Sequence, residues 1–333
     1  MIDLFGGINV IFAFQSLGEW LHPIMAFFSF LGTEDFYILA LPVIYWSLDS
    51  ALGLRVGVMM LLSSGMNTIF KFMFHSPRPY WVNTEVKAYA AEASFGIPSG
   101  HAQNAISVWG MVGTYFRKRW VWALTTIVIL GISLSRTYLA VHYPVDTVLG
   151  LFFGFLLLVA VNRAWNPVAG WAKKQTLAKQ IGVAFLGSLA MLFLGVFVAW
   201  MFRDWTLPVA WEQAAKRAGD EALHPYAIAG LITSSATLFG LFAGVAFVEE
   251  KGGFSAAGTP KERFLRYLLG LVGLLIFYIG LKVIFPSGEN FLAYVFRFLR
   301  YSLVGFWVSG GAPFIFVKTK LANSPNEQSR PLL

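Results

Sequence analysis

Hydrophobic positions along this chain gather in long runs separated by short polar connections. Runs of about 20 apolar residues, the length a helix needs to cross a bilayer, predict spans near 52–74, 120–138, 146–163, 181–202, 226–248 and 264–285. Weaker runs at 35–48, 102–116 and 302–317 predict three more. The pattern therefore predicts an all-α fold, a polytopic transmembrane helix bundle of about nine spans.

Composition agrees with that reading. Of 333 residues 57% are hydrophobic and 17% aromatic, while only 13% are charged, about half the charged share of soluble domains. The net charge of +8 does not point to nucleic acid, because the basic residues cluster in every second connection: Arg117, Lys118 and Arg119; Arg163, Lys173, Lys174 and Lys179; Lys251, Lys261, Arg263 and Arg266; and Lys318, Lys320 and Arg330 in the tail. The positive-inside rule makes those connections cytoplasmic. It puts the N-terminus outside, the C-terminus inside, and the loops 75–101 and 139–145 outside. Cysteine is absent, which removes disulfides, thiolate catalysis and Cys-based metal sites.

The first 34 residues lack Lys, Arg and a small-residue cleavage pattern, so they are read as an interfacial amphipathic segment and not as a cleaved signal. A helical core over 35–163 follows, then a cytoplasmic linker over 164–180, further transmembrane helices over 181–318 and a polar tail over 319–333. In the second part, "GLITSSATLFGLFAG" carries small residues that let helices approach closely. Arg297 and Arg300 are expected on an interfacial helix, where snorkelling is cheaper than burial in the bilayer.

Three polar groups fall at the outer ends of the early spans. In "KFMFHSPRP", Lys71 and Arg78 are seven residues apart, a spacing that puts both on one face of a regular helix. In "IPSGHAQNAISVWG", Ser99 is the expected N-cap, Gly100 allows close backbone approach, and the helix opening near His101 offers free N–H groups to an anion. In "SRTYLAVHYPVD", Arg136 ends one span and Asp146 falls four residues after His142, within reach of its Nδ1–H. Together these supply cations for a tetrahedral dianion, a helix N-terminus, a proton-donating histidine and an oriented one. That inventory suits phosphoryl transfer without a metal. His75 adjoins the site and is read as structural.

The runs K-x6-R-P from Lys71 to Pro79, P-S-G-H from Pro98 to His101, and S-R-x5-H-x3-D from Ser135 to Asp146 resemble the signature of the type 2 phosphatidic acid phosphatase (PAP2) superfamily. The likeness spans roughly 35–163 and implies a PAP2/haloperoxidase-like helical core. It implies that His142 attacks phosphorus to give a phosphohistidine, that Asp146 holds it, and that His101 protonates the leaving alkoxide and later activates water. It further implies that Lys71, Arg78, Arg136, Ser99 and the Gly100 N–H bind the phosphate oxygens. Nine spans with an external N-terminus, and the stretch "KFMFHSPRPYW", are similar to the glucose-6-phosphatase and sphingosine-phosphate phosphatase branch.

The expected activity is hydrolysis of a lipid phosphate monoester or pyrophosphate at the outer membrane face, with no metal and no cofactor. Phosphatidic acid, phosphatidylglycerol phosphate, a polyprenyl diphosphate and a sphingoid phosphate are the candidate substrates, and a bacterial inner membrane is the expected location. Two alternatives stand beside it: a sugar-phosphate phosphatase, and a non-catalytic lipid-phosphate binder or transporter.

Overall fold

The computed structural model describes residues 7–219 and 223–324. Of the polar tail, 325–333 lie outside the described residues. In chain order the helices are α1 (Gly7–Gln15), α2 (His22–Phe30), α3 (Glu34–Val43), α4 (Ser50–Phe74), α5 (Pro79–Val82), α6 (Gly100–Phe116), α7 (Arg119–Tyr138) and α8 (Pro144–Ala172). They continue with α9 (Leu177–Met201), α10 (Val209–Arg217), α11 (Ala229–Glu250), α12 (Pro260–Leu275), α13 (Leu281–Ile284), α14 (Phe291–Phe306) and α15 (Ala312–Lys318). The fold is all-α, with no strand among the described residues.

Seven helices among the described residues are long and apolar enough to cross a membrane, or eight if the bent pair Glu19–Phe30 and Glu34–Leu48 forms one span. The nine expected spans differ from this at their weak members. The run at 35–48 belongs to the bent pair. That at 102–116 is the short helix α6, closed by Arg117 in the left-handed region (φ 55°). The run at 302–317 is the second half of one helical segment, Phe291–Lys318. Arg297 and Arg300 therefore do not lie on a separate interfacial helix. Arg297 donates to Thr233 Oγ1 (3.1 Å) and Arg300 is buried. Helix α8 also continues through Pro167 to Ala172, beyond the apolar run expected to end near 163.

The chain divides into two compact units. The first comprises the described residues of Met1–Tyr37, Met66–Ala160 and Leu194–Ile228. Its core gathers Ile8 and Ile11 of α1, Tyr80 and Trp81 of α5, Phe95, Tyr138 to Val141, Tyr143 and Ala215. Helix α10 packs on α5, with Trp211 against Trp81 (ring centroids 6.3 Å apart). All the polar motif residues lie in this unit.

The second unit comprises Ile38–Gly65, Val161–Phe193 and the described residues of Ala229–Leu333. Its centre is the pairing of α11 with α14, where small residues replace bulk. A Cβ on Gly240 would lie 2.0 Å from the Ser302 carbonyl oxygen, so only glycine admits this approach. A π-helical turn, Trp307–Gly311, interrupts the ladder between α14 and α15 and frees carbonyls. Tyr45 Oη donates to Ser309 O (3.1 Å) and Trp46 Nε1 to Val308 O (2.7 Å), so the freed acceptors are satisfied without water.

Candidate active site

Helix α4 stops where the backbone turns left-handed at His75 (φ 49°), and Arg78 opens α5 in extended backbone after Pro77. Lys71 and Arg78 are thus not on one continuous helix face, as their spacing predicts. The break at Ser76 and Pro77 brings them together instead. Lys71 Nζ donates to Ser94 Oγ (2.8 Å), and Arg78 Nη2 donates to the same oxygen (3.2 Å).

Arg78 is fully buried, and its donors are assigned one by one. Nε donates to Ser94 O (2.7 Å), Nη1 to Val141 O (2.8 Å), and Nη2 also to Phe95 O (3.3 Å). Nη1 also lies 3.2 Å from His142 Nε2. Guanidinium only donates, so Nε2 must accept, and the His142 proton sits on Nδ1. That nitrogen is 3.1 Å from Asp146 Oδ2, which also takes the Tyr143 N–H (3.0 Å). The geometry therefore fixes one tautomer, with the Nε2 lone pair turned toward the cations. His142 itself is held by the end of α7, where the Val141 and His142 N–H groups both fold back onto Arg136 O.

Ser99 occupies the N-cap position of α6, as its sequence context predicts, but its side chain makes no capping bond. Its hydroxyl is buried without a hydrogen-bond partner. Asn67 Nδ2 holds the turn by donating to Pro98 O (3.1 Å), and Ser99 N–H donates to Asp146 O (2.9 Å). Helix α8 passes against this turn at Gly150, whose Cβ would fall 2.5 Å from Ser99 O. His101 stands in the first turn of α6 with Nε2 buried and unpartnered.

Arg136 Nη1 donates to Ser29 Oγ of α2 (2.6 Å), and Nη2 to Glu92 Oε1 (2.5 Å), while Nε is buried without a partner. Three buried polar atoms, Ser99 Oγ, His101 Nε2 and Arg136 Nε, thus lack partners beside cations. An anion with several oxygens is the chemistry that would satisfy them. Among the described residues no three His, Cys, Asp or Glu side chains cluster as a metal site requires.

The structure brings together all eight residues singled out in the sequence: Lys71, Arg78, Ser99, Gly100, His101, Arg136, His142 and Asp146. Three others were missed. Ser94 joins the Lys71 and Arg78 cations, Ser29 anchors Arg136, and Glu92 lies between the two guanidinium groups, 3.5 Å from Arg78 Nη2. Only Glu92 gave a signal, as an acid near His101 in an outer loop. Burial opposes the Glu92 charge, but Arg78 and then Arg136 outweigh it and hold the carboxyl below the usual carboxylate range. Burial, then Arg78 and Lys71, pushes the His142 imidazole well below its ordinary pKa.

One side of the site is aromatic. The Phe95 ring meets His75 (5.3 Å), Trp205 (5.3 Å) and Tyr226 (5.5 Å), and His75 also meets Phe202 (4.6 Å). Phe202, Trp205 and Tyr226 come from the connection between α9 and α11, far along the chain from the motifs.

The PAP2 superfamily model matches residues 52–168, and the model of the PAP2 superfamily phosphatase transmembrane extension matches 232–324. Glucose-6-phosphatase 2 of Homo sapiens is 25% identical over 311 residues, 81% of this chain and 85% of that protein. Glucose-6-phosphatase catalytic subunit 1 of Bos taurus is 26% identical over 303 residues, 81% of this chain and 82% of that protein. A probable sphingosine-1-phosphate phosphatase of Dictyostelium discoideum is 30% identical over 151 residues, 40% of this chain and 36% of that protein. No solved structure matches. With the core model on the motif-bearing helices and the extension model on the later ones, the chain belongs to the PAP2 superfamily and is a multi-span membrane phosphatase, a phosphoric monoester hydrolase.

Proposed function

We propose that this phosphatase hydrolyses a phosphate monoester through a phosphohistidine on His142, without a metal, on the membrane face away from the cytoplasm. The observation that carries the reading is the fixed His142 tautomer, with Nε2 unprotonated beside Arg78 Nη1 and Asp146 on Nδ1. In the first step Nε2 attacks phosphorus as the ester P–O bond breaks, and His101 gives its proton to the departing alkoxide. In the second step His101 takes a proton from water, whose oxygen attacks the phosphohistidine and frees His142 and inorganic phosphate. Lys71, Arg78, Arg136, Ser99 Oγ and the Gly100 N–H hold the phosphoryl oxygens while charge redistributes.

The substrate we infer is an amphiphile, a lipid phosphate. On the helices that carry Lys71 and Asp146, Phe74 is 44% exposed and Val148 is 61% exposed. Such apolar surface on membrane-crossing helices supports a substrate that approaches from the lipid. One observation favours a second reading. The match to the glucose-6-phosphatases runs over 81% of the chain, including the later helices, and supports a soluble sugar phosphate. Positive charge in alternate connections supports an external N-terminus and cytoplasmic C-terminus, which in a bacterial inner membrane sets the site on the periplasmic side.

The test is phosphate release from a panel of lipid and sugar phosphates by purified wild type and His142→Ala, in detergent with EDTA. Release that His142→Ala abolishes supports the mechanism, and the ranking of substrates decides between the readings. No release from wild type on any substrate would move the reading to a binder or transporter.

A further inference from the structure

Glu92 is not one of the motif residues, yet its carboxylate lies on the two guanidinium groups assigned above to phosphate. Its backbone is tied down, the Glu92 N–H donating to Tyr80 Oη (3.0 Å) and Tyr80 Oη donating to Glu92 O (3.3 Å). The side chain has an open flank, at 28% exposure against 0% for Asp146. A fixed backbone with a side chain held through its carboxylate can present that carboxylate to the cations and also swing it away.

The two arginines do not hold Glu92 equally. Every N–H of Arg78 already has an acceptor or faces His142 Nε2, so its 3.5 Å approach to Glu92 is electrostatic. Arg136 makes the hydrogen bond, through Nη2. Nε and Nη2 form one edge of a guanidinium, the edge that carboxylates and phosphates grip with two oxygens. Here that edge is half used: Nη2 holds Glu92 and Nε holds nothing. A phosphoryl group taking both positions must remove the Glu92 oxygen, and two anions that close repel.

We propose that Glu92 is a built-in counter-anion of the phosphate site, which leaves Arg136 when a phosphoryl group binds and returns as inorganic phosphate departs. It is a positioning residue that keeps the guanidinium groups in place and weakens product binding by competing for the same edge. The proposal rests on the assignment of Arg78 and Arg136 to phosphate made above.

Inorganic phosphate binding to purified wild type, Glu92→Gln and Arg136→Ala tests it, by calorimetry and by product inhibition of hydrolysis. Glu92→Gln should bind phosphate about tenfold more tightly, as expected when a competing charge is removed, and its inhibition constant should fall in step. Arg136→Ala should lose phosphate binding. Glu92→Gln affinity equal to or weaker than wild type, with Arg136→Ala still defective, overturns the proposal and leaves Glu92 a plain tether. Wild-type affinity in Arg136→Ala instead overturns the underlying assignment. Should Glu92→Gln not fold, cryo-EM of the wild type with vanadate decides. Glu92 off Arg136 supports the exchange, and an intact ion pair beside bound vanadate refutes it.

Discussion

His142 Nδ1 lies 3.1 Å from Asp146 Oδ2, and that same oxygen accepts the Tyr143 N–H one residue along. The backbone bond stops the carboxylate from rotating off the ring, so the tautomer and the ring plane are set together. Asp146→Asn keeps an acceptor for the Tyr143 N–H but removes the negative charge that would stabilise an imidazolium. Its kcat should fall by roughly 10²- to 10⁴-fold, the range for a lost acid-base orienting group, with little change in KM. Single-turnover phosphorylation of Asp146→Asn on the best substrate measures this. A rate near that of wild type would remove Asp146 from the mechanism.

The pH dependence follows from His142. Its folded-state pKa is pushed down by burial, then by Arg78 and Lys71, while the unfolded chain keeps a value near 6.5. Between those two values the unfolded chain binds more protons, so this contribution to stability is complete above about pH 6.5 and shrinks as pH falls below it. The nucleophile stays neutral through that same window. The acid limb of kcat/KM should therefore lie below about pH 6.5, measured with two aryl phosphates of different second ionisation so that a limb set by the substrate is told apart from one set by the protein. A limb at or above that value, unchanged across substrates, would count against a depressed His142.

Much of this site was legible because its chemistry is local. His142 and Asp146 are four residues apart, and Ser99, Gly100 and His101 form one turn-to-helix junction, so spacing alone relates them. Spacing misled for Lys71 and Arg78. A regular helix would align them, but Pro77 breaks it, and the convergence comes through Ser94. Ser94 and Ser29 were not legible, since each reaches its partner through a loop or a distant helix that leaves no period in the sequence, and Glu92 showed only as an acid in an outer loop. The spans were legible from hydropathy except where a helix was short, as α6, or ran through polar residues, as in Phe291–Lys318.

Ser94 leads to a binding prediction. Its hydroxyl takes hydrogen bonds from Lys71 and Arg78 at once, and its carbonyl takes a third from Arg78 Nε. Ser94→Ala leaves the carbonyl in place and removes the shared acceptor. A hydrogen bond to a charged group is worth about 1.5–3 kcal/mol, so KM should rise by at least about tenfold. Because the loss falls on binding, kcat should change much less. Steady-state kinetics of the variant separates the two, and a change confined to kcat would contradict the role.

Two glycines separate packing at the site from packing elsewhere. A Cβ on Gly96 would meet Pro77 O at 2.8 Å and Asp146 Oδ2 at 3.1 Å, so Gly96→Ala presses on the acid that orients His142. A displacement of a few tenths of an ångström there costs rate, and about 10- to 100-fold loss in kcat is expected. Pro77 O is backbone and cannot yield freely, so thermal stability should fall as well. Full activity in Gly96→Ala would show that the Asp146 contact is looser than its geometry.

At Gly244 the expected cost falls on stability. On α11, a Cβ there would fall 2.2 Å from Ser309 Oγ and 2.8 Å from Gly310 N, at the π-helical turn that Tyr45 and Trp46 complete. The nearest groups are backbone or a hydroxyl already bonded to Leu241 O, so nothing flexible can yield. Gly244→Val must part α11 from the turn, an overpacking that costs about 1–3 kcal/mol. Gly182 on α9 has nothing within 4 Å of its would-be Cβ. Gly182→Ala should therefore be neutral or slightly stabilising, because alanine is the better helix former. Detergent half-lives at raised temperature compare the pair. Equal loss in both would mean that helix content, and not the close approach of α11, sets the stability of this unit.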